Sequence, residues 1–70
     1  MPKTFSTKEV LKKFNKYWFK KYSQKGSHLK MKKDNLTIII PIHNKDIPLW
    51  TFRAILEQAQ ISYNDFLNIK

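Results

Sequence analysis

One histidine set among lysines poses the chemical question of this chain. Gln24-Lys25-Gly26-Ser27-His28 runs directly into the alternating stretch His28-Leu29-Lys30-Met31-Lys32. Gly26 is the only glycine. A residue free to take positive φ just before a strand puts His28 at the strand's first position, on the face that carries Lys30 and Lys32. An imidazole exchanges protons near neutral pH, and cationic groups stabilise the charge that builds up during phosphoryl transfer. Together they suit a phosphodiester. RNA carries its own nucleophile in the ribose 2′-hydroxyl, so His28 would act as base on that hydroxyl or as acid on the leaving 5′ oxygen, with Lys25 and Lys30 beside the phosphorane. Such chemistry cuts RNA and leaves DNA intact.

The neighbouring groups narrow this reading. Ser27 has no carboxylate nearby to complete a triad, and its expected role is hydrogen bonding at the turn or to phosphate. No carboxylate cluster suggests a catalytic metal, so neither metal nor cofactor is expected. If a strand ran straight past Pro41, His43 would share the face of His28, about 7 to 8 Å away on the diagonal. Proline often ends regular pairing, so His43 is read first as a loop residue and second as a partner in proton transfer. Taken by spacing alone, His28 is better read as a surface imidazole capping a turn.

The charge is lopsided. The formal net charge is +9, and the chain through Asp34 holds eleven lysines, from Lys3 to Lys33, against Glu9 and Asp34, so 11 − 2 = +9. The second half balances to zero. A domain with one strongly basic half attracts a polyanion, usually nucleic acid, although a lysine-rich solvated surface would also keep a small protein in solution. With no cysteine there is no disulfide or thiolate site, and a reducing compartment is expected. No apolar run approaches membrane-spanning length and no secretory leader is apparent, so the expected location is the cytoplasm. Seventy residues suffice for a single domain over 1–70, with stability of about 4 to 10 kcal/mol.

The elements that must hold these groups are well signalled. Ser6-Thr7-Lys8-Glu9 forms a capping box, with Phe5 and Val10 at staple positions. Val10, Leu11, Phe14 and Trp18 recur at helical spacing and predict a core stripe. This helix should stop between Asn15 and Phe19 and feed a strand through about Gln24. Asp34-Asn35 is the expected turn of a hairpin pairing Lys33 with Leu36, Met31 with Ile38, Leu29 with Ile40 and His28 with Pro41. Leu29, Met31, Ile38 and Ile40 then make one core face. His28, Lys30, Lys32, Thr37 and Ile39 make the other, where Ile39 is the odd member and suggests a protein contact. Residues 43–48 read as a loop. A second helix carries Phe52, Ile55, Leu56 and Ala59 on one side, and Ser62 with Asp65 opens a short third helix burying Phe66. Of the aromatics with rings able to stack on bases, Trp18, Phe52 and Phe66 are assigned to the core and Trp50 to the surface.

Gln24-Lys25-Gly26-Ser27-His28, Ile40-Pro41-Ile42-His43, Ile47-Pro48 and Thr51-Phe52-Arg53-Ala54-Ile55-Leu56-Glu57-Gln58-Ala59 followed by Ile61-Ser62 resemble, in order and spacing, the HicA family of toxin mRNA interferases. The resemblance implies an α+β fold like that of double-stranded-RNA-binding domains, with a three-stranded antiparallel sheet and helices on one face. It implies metal-independent endoribonuclease activity on mRNA needing a single histidine, here His28, and a HicB-type antitoxin that masks the site. The expected RNA-binding set is Lys20, Lys21, Lys25, Gly26, Ser27, Lys30 and Lys32. Trp18, Trp50 and Gln60 stand where relatives usually carry glycine, and Ser23 where they often carry arginine. Positions 18 and 60 are expected helix ends, where a left-handed residue is often wanted. The competing readings are a double-stranded-RNA-binding module without catalysis and an interaction protein whose lysines dock an acidic partner. The second helix offers only Arg53 with Glu57 where such a module usually presents basic residues, so the catalytic reading is preferred.

Overall fold

Helix α1, Thr7–Lys16, begins where the capping box places it. In the computed structural model, which describes residues 4–70, the Glu9 N–H donates to Ser6 Oγ at 3.1 Å and the Ser6 N–H donates to Glu9 Oε1 at 3.1 Å. Lys3, one of the lysines of the basic half, lies outside the described residues. Val10 and Phe14 of the stripe are buried and Leu11 packs against them. Trp18 does not join them. The chain leaves the helix at Tyr17, and Trp18 takes φ 78° and is 70% exposed. The Trp18 N–H donates to Asn15 O and the Phe19 N–H to Phe14 O, the paired bonds of a Schellman ending. That left-handed residue swings the indole off the stripe and delivers Phe19 to the core instead, edge-on to Phe14 at 5.4 Å between ring centroids. The expected core role of Trp18 is therefore corrected, for a helical periodicity holds only while the backbone stays helical.

Three strands follow as an antiparallel meander: β1 Lys20–Lys25, β2 His28–Lys33 and β3 Leu36–Pro41, in the order β1-β2-β3. The β2–β3 register pairs Lys33 with Leu36, Met31 with Ile38, Leu29 with Ile40 and His28 with Pro41, as the alternation predicts. Asp34 supplies the positive φ of the turn at 54°, a conformation that aspartate tolerates better than most residues. Leu29, Met31, Ile38 and Ile40 are all buried. By contrast, every residue of edge strand β1 is exposed, so β1 adds to the sheet's outer surface and nothing to the core.

Helix α2, Leu49–Ala59, buries Phe52, Ile55, Leu56 and Ala59, and α3, Tyr63–Leu67, opens on a capping box made by Ser62 and Asp65 and buries Phe66. Phe66 is the hub of the aromatic core, with Phe52, Phe5 and Phe14 at 4.9, 5.1 and 5.4 Å between centroids. The end of α2 repeats the device of α1: Gln60 has φ 58°, with Gln60 N–H to Glu57 O and Ile61 N–H to Leu56 O. Lys13 Nζ donates to Ile69 O at 2.7 Å, tying the last residues to α1. The result is an α+β fold in which helices cover one face of the sheet and leave the other to solvent.

Candidate active site

His28 is placed by the hairpin that precedes it. Lys25 pairs with His28, which leaves Gly26 and Ser27 as a two-residue loop, and Gly26 takes φ +59°. Positive φ at the first of two loop residues matches the right-handed twist of the strands it joins. A Cβ on Gly26 would meet nothing within 4 Å, so the backbone conformation, and not a close approach, calls for glycine here.

Register then sorts the cations. Lys20 pairs with Lys32, Ser23 with Lys30 and Lys25 with His28, so Lys20, Lys25, Lys30 and Lys32 share the outer face with His28. None of the three strands contains a carboxylate. The register shifts between Lys21 and Ser23, a bulge that turns Tyr22 outward as well, where Lys32 Nζ sits 4.4 Å from its ring centroid. Lys21 pairs with Met31 and so belongs to the opposite face. It is exposed all the same, on the face opposite the other expected RNA-binding lysines.

Beyond the strands, His28 opens onto a groove of about 450 Å³ between the end of β3 and the start of α2, which His43, Ile39, Trp50 and Gln58 also line. Trp50 is 76% exposed on the rim, in keeping with its surface assignment. Ile39 is 41% exposed, and its N–H, which faces outward from edge strand β3, donates to Gln58 Oε1 at 2.9 Å. That bond seals the sheet edge with a side chain of α2.

The loop carrying His43 is held at both ends. The Ile42 N–H donates to Ser27 O at 2.7 Å, which extends the β2–β3 ladder one step past Pro41. Thr7 Oγ1 donates to Asn44 O at 2.6 Å and the Thr7 N–H to Lys45 O at 2.9 Å, while Asp46 bridges to Ser6 and the Ile47 N–H reaches Phe5 O. Ile47 is buried. Thr7 and Gln58 are the positioning residues that the sequence concealed: Thr7 looked like an ordinary first-turn residue, and nothing local to Gln58 signals a bond to a strand nineteen residues away. A larger hollow of about 760 Å³ lies elsewhere on α2, among Leu49, Phe52, Arg53, Leu56, Glu57 and Tyr63. It contains no histidine and is separate from this groove.

With that geometry established, the chain matches the family model described as the HicA toxin of bacterial toxin-antitoxin systems over residues 7–61. The chain belongs to the HicA toxin family. The match runs from the first residue of α1 to the residue after the left-handed end of α2, and so takes in His28, His43 and all the lysines of the outer face. Membership in a toxin-antitoxin family implies an antitoxin partner. No curated protein matches the chain. Among the described residues, no group of three or more His, Cys, Asp or Glu could hold a metal ion, and no helix is long and apolar enough to cross a membrane.

Proposed function

We propose that this HicA-family toxin is an endoribonuclease that cleaves mRNA without a metal, with His28 transferring a proton at the scissile phosphodiester. The observation that carries the reading is the outer face itself, an exposed imidazole locked by register among Lys25, Lys30 and Lys32 with no carboxylate in the strands. The 2′-hydroxyl of RNA attacks phosphorus and the bond to the 5′ oxygen breaks. His28 removes the first proton or supplies the second. Lys25 and Lys30 counter the charge on the pentacoordinate phosphorus, and Lys20 and Lys32 hold the flanking phosphates by releasing counterions. Gly26 and Ser27 present the turn to the backbone of the RNA.

The proposed location is cytoplasmic, where mRNA is the substrate at hand, and a HicB-type antitoxin would silence the toxin by covering the groove. Incubating the purified protein with RNA in EDTA, beside His28→Ala, tests the reading. Cleavage by the wild type alone supports it. Equal cleavage by both proteins removes His28 from the chemistry, and tight binding without cleavage would make the chain an RNA-binding module instead.

A further inference from the structure

We propose that His43 is a second catalytic residue and that the two histidines divide the proton transfers of RNA cleavage between them. The inference rests on the endoribonuclease reading and goes beyond the single histidine that the family resemblance implies. In-line attack places the entering 2′ oxygen and the departing 5′ oxygen on opposite sides of phosphorus, so one imidazole cannot touch both at once. Two groups flanking the phosphate can.

The structure supplies such a pair. His28 pairs with Pro41, and the bond from the Ile42 N–H to Ser27 O continues the ladder beyond it. Strand β3 itself ends at Pro41, and His43 lies in the bend that follows, at the same end of the sheet as His28. Both side chains are exposed and both line the same groove. Nor is His43 on a loose loop. Ile42 on one side and Asn44 on the other are tied down, to Ser27 and to Thr7, and Thr7 is the one buried polar residue among those described. A fold has no general need to pin an exposed histidine on both sides, whereas a proton-transfer group must be held near its target.

The step balances without a co-reactant. One neutral imidazole accepts the 2′-hydroxyl proton as the 2′ oxygen bonds to phosphorus, and the other, protonated, gives its proton to the 5′ oxygen as that bond breaks. The products are a 2′,3′-cyclic phosphate and a 5′-hydroxyl.

The experiment uses an RNA with the bridging 5′ oxygen at the mapped cleavage position replaced by sulfur. A thiolate leaves without protonation, so this substrate bypasses the acid and still needs the base. On ordinary RNA, His43→Ala and His28→Ala should each slow cleavage by about 100-fold or more, with circular dichroism and RNA binding unchanged. Sulfur substitution should restore one of the two variants to within about tenfold of the wild type and leave the other slow, which also assigns the acid and the base. His43→Ala cleaving ordinary RNA like the wild type would overturn the proposal, and so would rescue of both variants or of neither. Failure of the wild type to cut any RNA would instead overturn the endoribonuclease reading beneath it.

Discussion

Strand β2 has two faces built from alternate residues of one six-residue segment, and they answer to different demands. Leu29 and Met31 are 3% and 1% exposed beneath the helices, whereas His28 and Lys32 lie open to solvent. The inner face owes its identity to burial, where each large apolar side chain contributes about 1.5 to 3 kcal/mol. The outer face contributes little to stability and is free to carry charge. Because the side-chain period is two, the same ladder that buries Met31 aims His28, Lys30 and Lys32 away from the core. Folding and chemistry are thereby separated by a single residue along the strand.

The sharpest way to break this comparison is Met31→Asp. An unpaired carboxylate in that core costs several kcal/mol, comparable to the whole stability of a domain this size, so the variant should be unfolded by circular dichroism at 25 °C. A native-like melt would mean that the faces are reversed. Next in size, His28→Ala should lower RNA cleavage by about 100-fold or more with no measurable loss of thermal stability; a large drop in Tm would place His28 in the structural half of the strand.

A smaller effect tests where the basic surface lies. Lys30 sits on the outer face and Lys12 is exposed on α1. Lys30→Glu should weaken RNA binding and flatten its dependence on log salt by roughly 0.7, the share of one phosphate contact on a single strand. Lys12→Glu should leave the slope as it was, and equal behaviour of the two variants would show that RNA binds elsewhere.

The smallest effect lies at the end of α1. Trp18 holds φ 78° at a cost of about 1 to 2 kcal/mol for a residue with a Cβ, and its ring is 70% exposed, with Lys20 Nζ 5.9 Å from the centroid. Trp18→Gly should raise stability by about 1 kcal/mol and Tm by about 4 to 8 °C without altering cleavage. A lower Tm would show that the indole packs where the structure leaves it exposed.

Much of this molecule could be read along the chain because the rules involved are local. The two capping boxes, the period-two stretch of β2 with its partner β3, and the helical spacing from Phe52 to Ala59 each draw on residues within a few positions of one another, and each formed as read. Gly26 marked the turn, and with it His28 at a strand's first position. Trp18 departs from the core stripe because apolar periodicity does not reveal where a helix stops. Two side chains at one spacing, Phe14 and Trp18, parted company when the backbone turned left-handed, and Phe19 took the inward place. Which of the adjacent Lys20 and Lys21 faces outward is set by the bulge at Tyr22, which leaves no mark in composition.

The sequence by itself determined the helices, the hairpin register and the face on which His28 stands, since these follow from side-chain period and cap chemistry within short segments. Only the tertiary structure decided that His43 shares a groove with His28, that Thr7 pins the loop between them and α2, and that Gln58 closes the edge of β3. Those arrangements depend on bonds between residues far apart in the chain, nineteen positions for Ile39 and Gln58 and thirty-seven for Thr7 and Asn44. Such partners meet only after the core has chosen how α1 and α2 lie on the sheet, and no local preference encodes that choice.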